Sequence, residues 1–182
     1  MTVEQTASGA STPRAMRRAD REVRDAADIE AILRDCADVR VAYQDAQGLT
    51  IVPVNFAYVF ESGKLRLYMH SAHEGRKIDA IRAAGNALPV AFEMDCDATV
   101  YTGRTPCSST TAFRSIIGTG LASLVEDTEQ KIEALTLLMR QRTAMHDVTF
   151  MPRQVAKVAV WRIESTEFTA KRHPTPAAHI GS

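Results

Sequence analysis

A pair of strand-like segments joined by a short turn constrains the fold more than any other part of the chain. The segments are TIVPVNFAYVF (50–60) and KLRLYMH (64–70), and Ser62-Gly63 between them favours a tight hairpin turn. The second segment alternates apolar and polar residues, as a strand with one buried face does. The first is apolar on both faces, which predicts a central strand, while Pro53, which lacks an amide donor, predicts a bulge or an interruption of pairing.

Further strands and short helices are predicted around this hairpin. The strand-like stretches are VRVAYQD, LPVAFEM, FRSIIGTGLASLV and VAKVAVWRIESTEFTAK, the last with a bend near Ser165-Thr166, whereas DATVYTGRTPCSSTTA is rich in turn formers. Helices are predicted after Asp28 and Asp127, each as an N-cap, and in HEGRKIDAIRAAG, which ends at Gly85. Without alternating β-α-β units, the pattern predicts an α+β, mainly β, antiparallel barrel or curled sheet with flanking short helices.

Composition narrows the class of protein. The 182 residues suffice for one well-packed domain, predicted to span 16–172 between a disordered tail at 1–15 and a C-terminal tail at 173–182. The 22 basic and 22 acidic residues give no net charge, which disfavours nucleic acid and membrane surfaces as partners. Three widely spaced cysteines and the lack of a long apolar run predict a chain of the reducing cytoplasm, with no membrane span.

A strand-to-helix junction at 68–77, YMHSAHEGRK, is the strongest candidate for ligand chemistry. Backbone N–H groups at a helix start, together with the cations of Arg76 and Lys77, form an anion site suited to a phosphate. Gly75 would let a ligand approach the backbone closely. The alternative interpretation is a solvated first turn with two surface cations.

Other polar residues have both a functional and a structural interpretation. His70 ends a strand on its polar face, where it is either an acid–base group beside a cofactor or a histidine satisfied by a neighbour. Asn55, in an apolar strand, needs a hydrogen-bond partner, which is either a ligand or local backbone. Arg114 and Ser115 begin a strand and are most simply an exposed arginine and a small strand residue. His70 and His73 lack the further ligands of a metal site, so no metal is predicted.

The same segments, taken in order, resemble a known family. IVPVNFAYVFESGKLRLYMHSAHEGRKID, FEMD, FRSIIGTGLASLVED and FTAKR are similar to segments of the nitroimidazole-resistance proteins. These proteins are a branch of the pyridoxamine 5'-phosphate oxidase-like, FMN-binding split-barrel superfamily. The resemblance covers about Met16 to Arg172 and implies a six-stranded split β-barrel. It also implies a homodimer with two equivalent flavin sites at the subunit interface.

The resemblance assigns site residues at matching positions. IVPVNF is similar to the strand that lines the isoalloxazine, and MHSAHEGRK to the segment that holds the FMN phosphate, with the phosphate role at Arg76 and Lys77. FRSI is similar to a segment that contacts flavin from the strand side, and His70 matches a histidine near the flavin, which is the catalytic candidate. The implied cofactor contacts are Pro53, Val54, Asn55, Phe56, Met69, His70, Ser71, Gly75, Arg76, Lys77, Arg114 and Ser115.

The predicted function is a flavin-dependent reductase acting on a small electron-poor molecule, for example a nitroaromatic. The C-terminal KRHPTPAAHIGS differs from the arginine-rich segment with which true pyridoxamine phosphate oxidases bind substrate, so vitamin B6 oxidation is not expected. Two alternatives stay open at this point. One is a non-catalytic protein that holds flavin or haem, and the other is an empty split barrel acting as a dimeric structural module.

Overall fold

A computed structural model describes residues 16–176, so the predicted tail at 1–15 and most of the predicted C-terminal tail lie outside the described residues. The strands are β1 (Glu22–Val23), β2 (Asp38–Asp45), β3 (Gly48–Asn55), β4 (Ala57–Glu61), β5 (Lys64–Ser71), β6 (Leu88–Tyr101), β7 (Thr110–Val125) and β8 (Ala159–His173). The helices are α1 (Ala26–Asp35), α2 (Arg76–Ala83), α3 (Thr128–Arg142) and α4 (Pro152–Val155). None of the described helices is long and apolar enough to cross a membrane.

All strand pairs are antiparallel and belong to one sheet. The order along the hydrogen-bonded path is β3-β2-β6-β7-β8-β5-β4, with β1 added to β8. The two strands at the ends of this path, β3 and β4, are separated in the chain by Phe56 alone. The sheet therefore curls into a barrel that the backbone joins at Phe56 and that hydrogen bonds leave open, as in the predicted mainly β split barrel.

The structure has eight strands instead of the six predicted, for two reasons. The segment 50–60 breaks at Phe56 into β3 and β4, and the two-residue β1 was not predicted. The break is not at Pro53, which stays in register opposite Arg40. The prediction of a central strand was also wrong: β3 and β4 are end strands, and β3 exposes Leu49 and Ile51 to solvent. The alternation of residues along segment 50–60 indicates that both faces of the strand are apolar. It does not show that one of these faces is uncovered in a single chain.

Helix starts follow from local capping chemistry. The helix predicted after Asp28 is α1, whose Ile32 and Leu33 are fully buried, as is Cys36 directly after it. Its N-cap is Asp25, whose carboxylate accepts from the amides of Ala27 and Asp28, so the prediction of Asp28 as cap was wrong by three residues. Both aspartates precede the same apolar face, and only the backbone geometry separates them.

The later helices and strands agree better with the local signals. Asp127 caps α3 as predicted, and Gly85 ends α2 in the left-handed region with φ of +64°. The predicted bend at Ser165-Thr166 is confirmed by a register shift, because Thr119 pairs with Glu167 while Leu121 pairs with Glu164. The turn-rich interpretation of 97–112 was only partly right, since β6 continues through an irregularity after Cys96 to Tyr101.

Gly118 of β7 lies in close contact with residues of the neighbouring strands β6 and β8. A Cβ at this position would lie 2.5 Å from Phe92 Cζ, 2.7 Å from Phe168 Cβ and 2.9 Å from the carbonyl oxygen of Glu167. We therefore expect Gly118→Ala to lower the free energy of unfolding by about 1–3 kcal/mol, as overpacking does. Urea unfolding measures this change, with Thr111→Ala, an exposed site on the same strand, as the control. Equal stability of Gly118→Ala and the wild type would show that the sheet absorbs the methyl group.

Candidate functional site

The two segments predicted to contact a flavin ring meet where the barrel is split. Strand β4 pairs with β5 so that Ala57 lies opposite Tyr68. Phe56 and Met69 follow at the same end of this ladder, where the chain before Phe56 belongs to β3 and pairs with β2 instead. Segments 53–56 and 69–71 therefore both start from this end of the β4–β5 ladder.

Side-chain orientation decides how these residues can meet a ligand. Pro53 and Asn55 are exposed and Val54 is half-buried, whereas Phe56 and Met69 are buried in the core. The Asn55 amide donates to Asp38 Oδ1 at 2.8 Å, so its partner is a side-chain carboxylate, where the sequence had suggested a ligand or local backbone. A ligand at this position would meet the outer face of β3 and the backbone of Phe56 and Met69, not the side chains of the latter two.

His70 is exposed at the end of β5 and differs in this from its neighbours. No hydrogen bond joins its ring to any residue in 16–176, while the adjacent Ser71 hydroxyl accepts from the indole of the buried Trp161 at 3.1 Å. His73 is also engaged, with its Nε2 at 2.7 Å from the carbonyl oxygen of Ala156. Among these three residues, His70 is the one whose polar atoms stay available to a bound molecule.

Helix α2 begins with an uncapped N-terminus. Gly75 has φ of +129°, a backbone conformation that favours glycine, and nothing lies within 4 Å of the position where a Cβ would stand. No side chain caps this helix start, and the half-buried Lys77 is the second residue of the helix. Lys77 forms no ion pair within the described part of the chain.

Arg76 is already bound to the β2–β3 turn. Its Nε and Nη2 donate to the two oxygens of Asp45 at 2.7 and 2.8 Å, and Nη2 also donates to the carbonyl oxygen of Gly48 at 2.9 Å. The guanidinium lowers the pKa of the Asp45 carboxyl. Of the hydrogen-bond donors of Arg76, only those on Nη1 have no partner among the described residues. Asp45 is thus part of this site, and sequence reasoning missed it because it lies 31 residues from Arg76.

Arg114 and Ser115 have their contacts with α1 and with β6, not with the start of α2 or His70. Arg114 bridges Asp35, at 2.8 Å, and Asp97, and these hydrogen-bonded carboxylates raise the pKa of its guanidinium. Ser115 is buried, opposite Asp95 in the sheet. The role of these two residues in flavin binding therefore stays a prediction.

Neither the cavities nor the metal-ligating side chains of the described residues point to a further binding site near the predicted one. A groove of about 700 Å³ on the outside of the sheet contains none of the predicted site residues, and is lined by residues including Leu49, Ala91, Leu121 and Glu164. Residues 16–176 contain no cluster of three or more His, Cys, Asp or Glu side chains that could hold a metal ion. The groups available to a ligand are therefore the anion site at the start of α2, the exposed residues of β3 and the ring of His70.

Comparisons with known proteins identify related sequences and folds. Residues 25–172 match the family model described as pyridoxamine 5'-phosphate oxidase. A comparison with curated proteins gives no significant match. Among solved structures, a candidate 5-nitroimidazole antibiotic resistance protein from Bacteroides thetaiotaomicron is 27% identical, with a TM-score of 0.68 over 83% of this chain and 86% of that one.

Two further solved structures share the fold at lower identity. A flavocytochrome from Azotobacter vinelandii has a TM-score of 0.72 and 18% identity, covering 89% of this chain and 73% of its own. A protein from Mycobacterium smegmatis that binds FAD and haem has a TM-score of 0.70 and 15% identity, covering 86% of this chain and 77% of its own. At these identities the likeness is one of fold.

Proposed function

Because the chain belongs to the pyridoxamine 5'-phosphate oxidase family, we propose that it binds FMN and works as a flavin-dependent reductase of small electron-poor molecules. The observation that carries this proposal is the uncapped start of α2, where the space beside Gly75 is open and the cations of Arg76 and Lys77 follow directly in the chain. A phosphate monoester matches this donor set, because it accepts from helix amides and from cations together. The related flavin-binding folds support the same cofactor class.

The residues present fit FMN in distinct roles. Lys77, the first amides of α2 and the Nη1 group of Arg76 would hold the phosphate. The exposed edge of β3 at Pro53 and Asn55, with the neighbouring backbone of Phe56, would take the ring. Bound flavin would supply the redox chemistry, taking two electrons from a reduced nicotinamide donor and passing them to the acceptor.

His70 is the residue we assign to proton transfer. It lies next to the proposed ring site and has no partner in the described chain that would hold its ring nitrogens. Histidine changes charge near neutral pH, so it can hold a proton at a ring nitrogen and release it to an acceptor that gains electrons. The Bacteroides relative, at 27% identity, supports a nitro-substituted aromatic as the acceptor class.

Anaerobic turnover tests the reductase proposal. FMN-loaded protein is mixed with a reduced nicotinamide donor and a nitroimidazole, and consumption of both is followed. We expect both to disappear together, and donor consumption to stop at about one donor per bound flavin when the acceptor is left out. Flavin loading without acceptor consumption would instead identify a flavin-binding protein that is not a nitroreductase. Oxidation of pyridoxamine phosphate is the counter-test, and we expect none.

We also propose that a second copy of the chain covers the exposed face of β3, β2, β6 and β7. The sheet register places Leu49, Ile51 and Pro53 of β3 on the same face as Ile117 and Leu121 of β7. Leu49 is 81% exposed and Ile51 60% exposed, which is unusual for strand residues of this size. Because Pro53 is both on this face and in the proposed ring site, the dimer and the flavin site would be continuous.

A charge on this face should separate the subunits. We expect the wild type to be a dimer at micromolar concentration by light scattering, and Ile51→Asp to be a monomer with weaker FMN binding, because a carboxylate buried without a partner is costly. Met145→Asp is the matched control, since Met145 is 59% exposed but lies in the segment between α3 and α4, outside the sheet. A monomeric wild type would contradict the proposed interface.

A further inference from the structure

The last turn of α3 takes the place of a neighbouring strand at the split in the barrel. Tyr58 is in β4, an end strand, and its backbone N–H donates to Gln141 Oε1 at 2.8 Å. The Gln141 amide donates back to the Tyr58 carbonyl oxygen at 2.9 Å. One side chain therefore satisfies both backbone groups, as a paired strand would do.

Arg142, the next residue, holds the point where β3 becomes β4. Its Nε donates to the Phe56 carbonyl oxygen, and its guanidinium carbon lies 4.1 Å from the centre of the Phe56 ring. Its Nη1 donates to the carbonyl oxygen of Cys36 at 2.6 Å and its Nη2 to that of Leu33 at 3.3 Å. A single guanidinium thus joins the end of α1, the end of α3 and the strand junction.

Burying the Arg142 guanidinium in this way costs free energy. This cost suggests that the backbone conformation held by Arg142 is needed for function. No carboxylate of residues 16–176 forms an ion pair with Arg142, and its hydrogen-bond acceptors are neutral carbonyl groups. Burial lowers the pKa of this guanidinium. Removing a charge from water without a counter-charge is unfavourable, and the carbonyl groups and the aromatic face offset this only in part.

The anchored segment is the one that we assign to the flavin ring. Phe56 is directly preceded by Pro53, Val54 and Asn55, and the Asn55 amide is itself tied to Asp38, just after α1. The curvature at Phe56 sets the direction in which the outer edge of β3 faces. Arg142 controls that curvature without being on the exposed side of the strand.

We propose that Arg142, with Gln141, is a positioning residue that holds segment 53–56 in the conformation that accepts a flavin ring. The inference rests on the proposed function, because it concerns the same site. A role in positioning the ring can be distinguished from a role in binding the phosphate by comparing FMN with riboflavin. Misplacing the ring segment should weaken FMN and riboflavin equally, whereas losing a phosphate contact should spare riboflavin.

The test compares three variants by titration of each flavin, with dissociation constants expressed per folded subunit. Arg142→Met should weaken both FMN and riboflavin by about tenfold or more, as expected when the bonds of a charged group to its backbone partners are lost. Arg142→Lys keeps the charge but not the fork of donors, and should recover only part of the affinity. Arg140→Met is the matched control, because Arg140 is exposed two residues earlier on the same helix, and no change is expected.

Two results would overturn the inference and can be told apart. If folded Arg142→Met binds both flavins as the wild type does and differs only in melting temperature, Arg142 stabilises the fold and does not position the ring segment. If the methionine variant does not fold, the lysine variant decides in the same way: unchanged constants for both flavins reject the inference. A wild type that binds neither flavin would reject the proposed function itself.

Discussion

His70→Ala should lower turnover with a nitroaromatic acceptor by about 10²-fold or more, the usual effect of losing an acid–base group. FMN affinity and melting temperature should change little. The expectation follows from the position of the ring, which is exposed at the end of β5 and makes no hydrogen bond to a described residue. A side chain that supports nothing in the fold can be removed without a cost in stability.

His73→Ala is the control for this prediction. His73 lies three residues further on, is also exposed, and contacts the backbone of Ala156. Its removal should affect local stability more than turnover. Turnover, flavin loading and melting temperature are measured on the same preparations. Retained turnover per flavin-loaded subunit in His70→Ala would remove this residue from the catalytic role.

The double variant Arg76→Ala/Lys77→Ala should weaken FMN binding by at least about tenfold and riboflavin binding far less, because two charge-assisted contacts to a phosphate are lost. The single variants should differ from each other. Lys77→Ala removes a phosphate contact alone, whereas Arg76→Ala also releases Asp45 and the β2–β3 turn. The Lys77 variant is therefore the cleaner measure of the phosphate site.

Asp45→Asn supplies the matching control for the phosphate site. It keeps both cations, removes the charge that competes with a phosphate for Arg76, and preserves the size of the side chain. We expect FMN binding to be retained or tightened and riboflavin binding to stay unchanged. An FMN dissociation constant that is the same in the double alanine variant and the wild type would rule out the phosphate assignment.

The parts of the fold that the sequence predicted are those with local causes. The tight turn at Ser62-Gly63 between β4 and β5, helix α2 with its glycine end, the Asp127 cap and the bend at Ser165-Thr166 all depend on residues a few positions apart. Turn chemistry, capping and periodicity act over that range, so they can be read without knowing the rest of the chain.

The parts that the sequence did not predict depend on contacts between residues that are distant in the chain. The break at Phe56 is held by Arg142, 86 residues away, and the occupied state of Arg76 depends on Asp45. The apolar outer face of β3 suggested a central strand because periodicity shows that a face is apolar but not whether the rest of the chain covers it. Segment 68–77 was found from local signals, while the placement of Arg114 against two carboxylates was not.

The visible absorption of purified protein, after incubation with FMN and removal of free flavin, tests the central claim most directly. We predict that the two flavin absorption bands stay with the protein at one flavin per subunit, and that a reduced nicotinamide donor bleaches them in the absence of oxygen. A colourless protein that does not retain FMN, or one that shows the Soret band of haem instead, would contradict a flavin-dependent reductase.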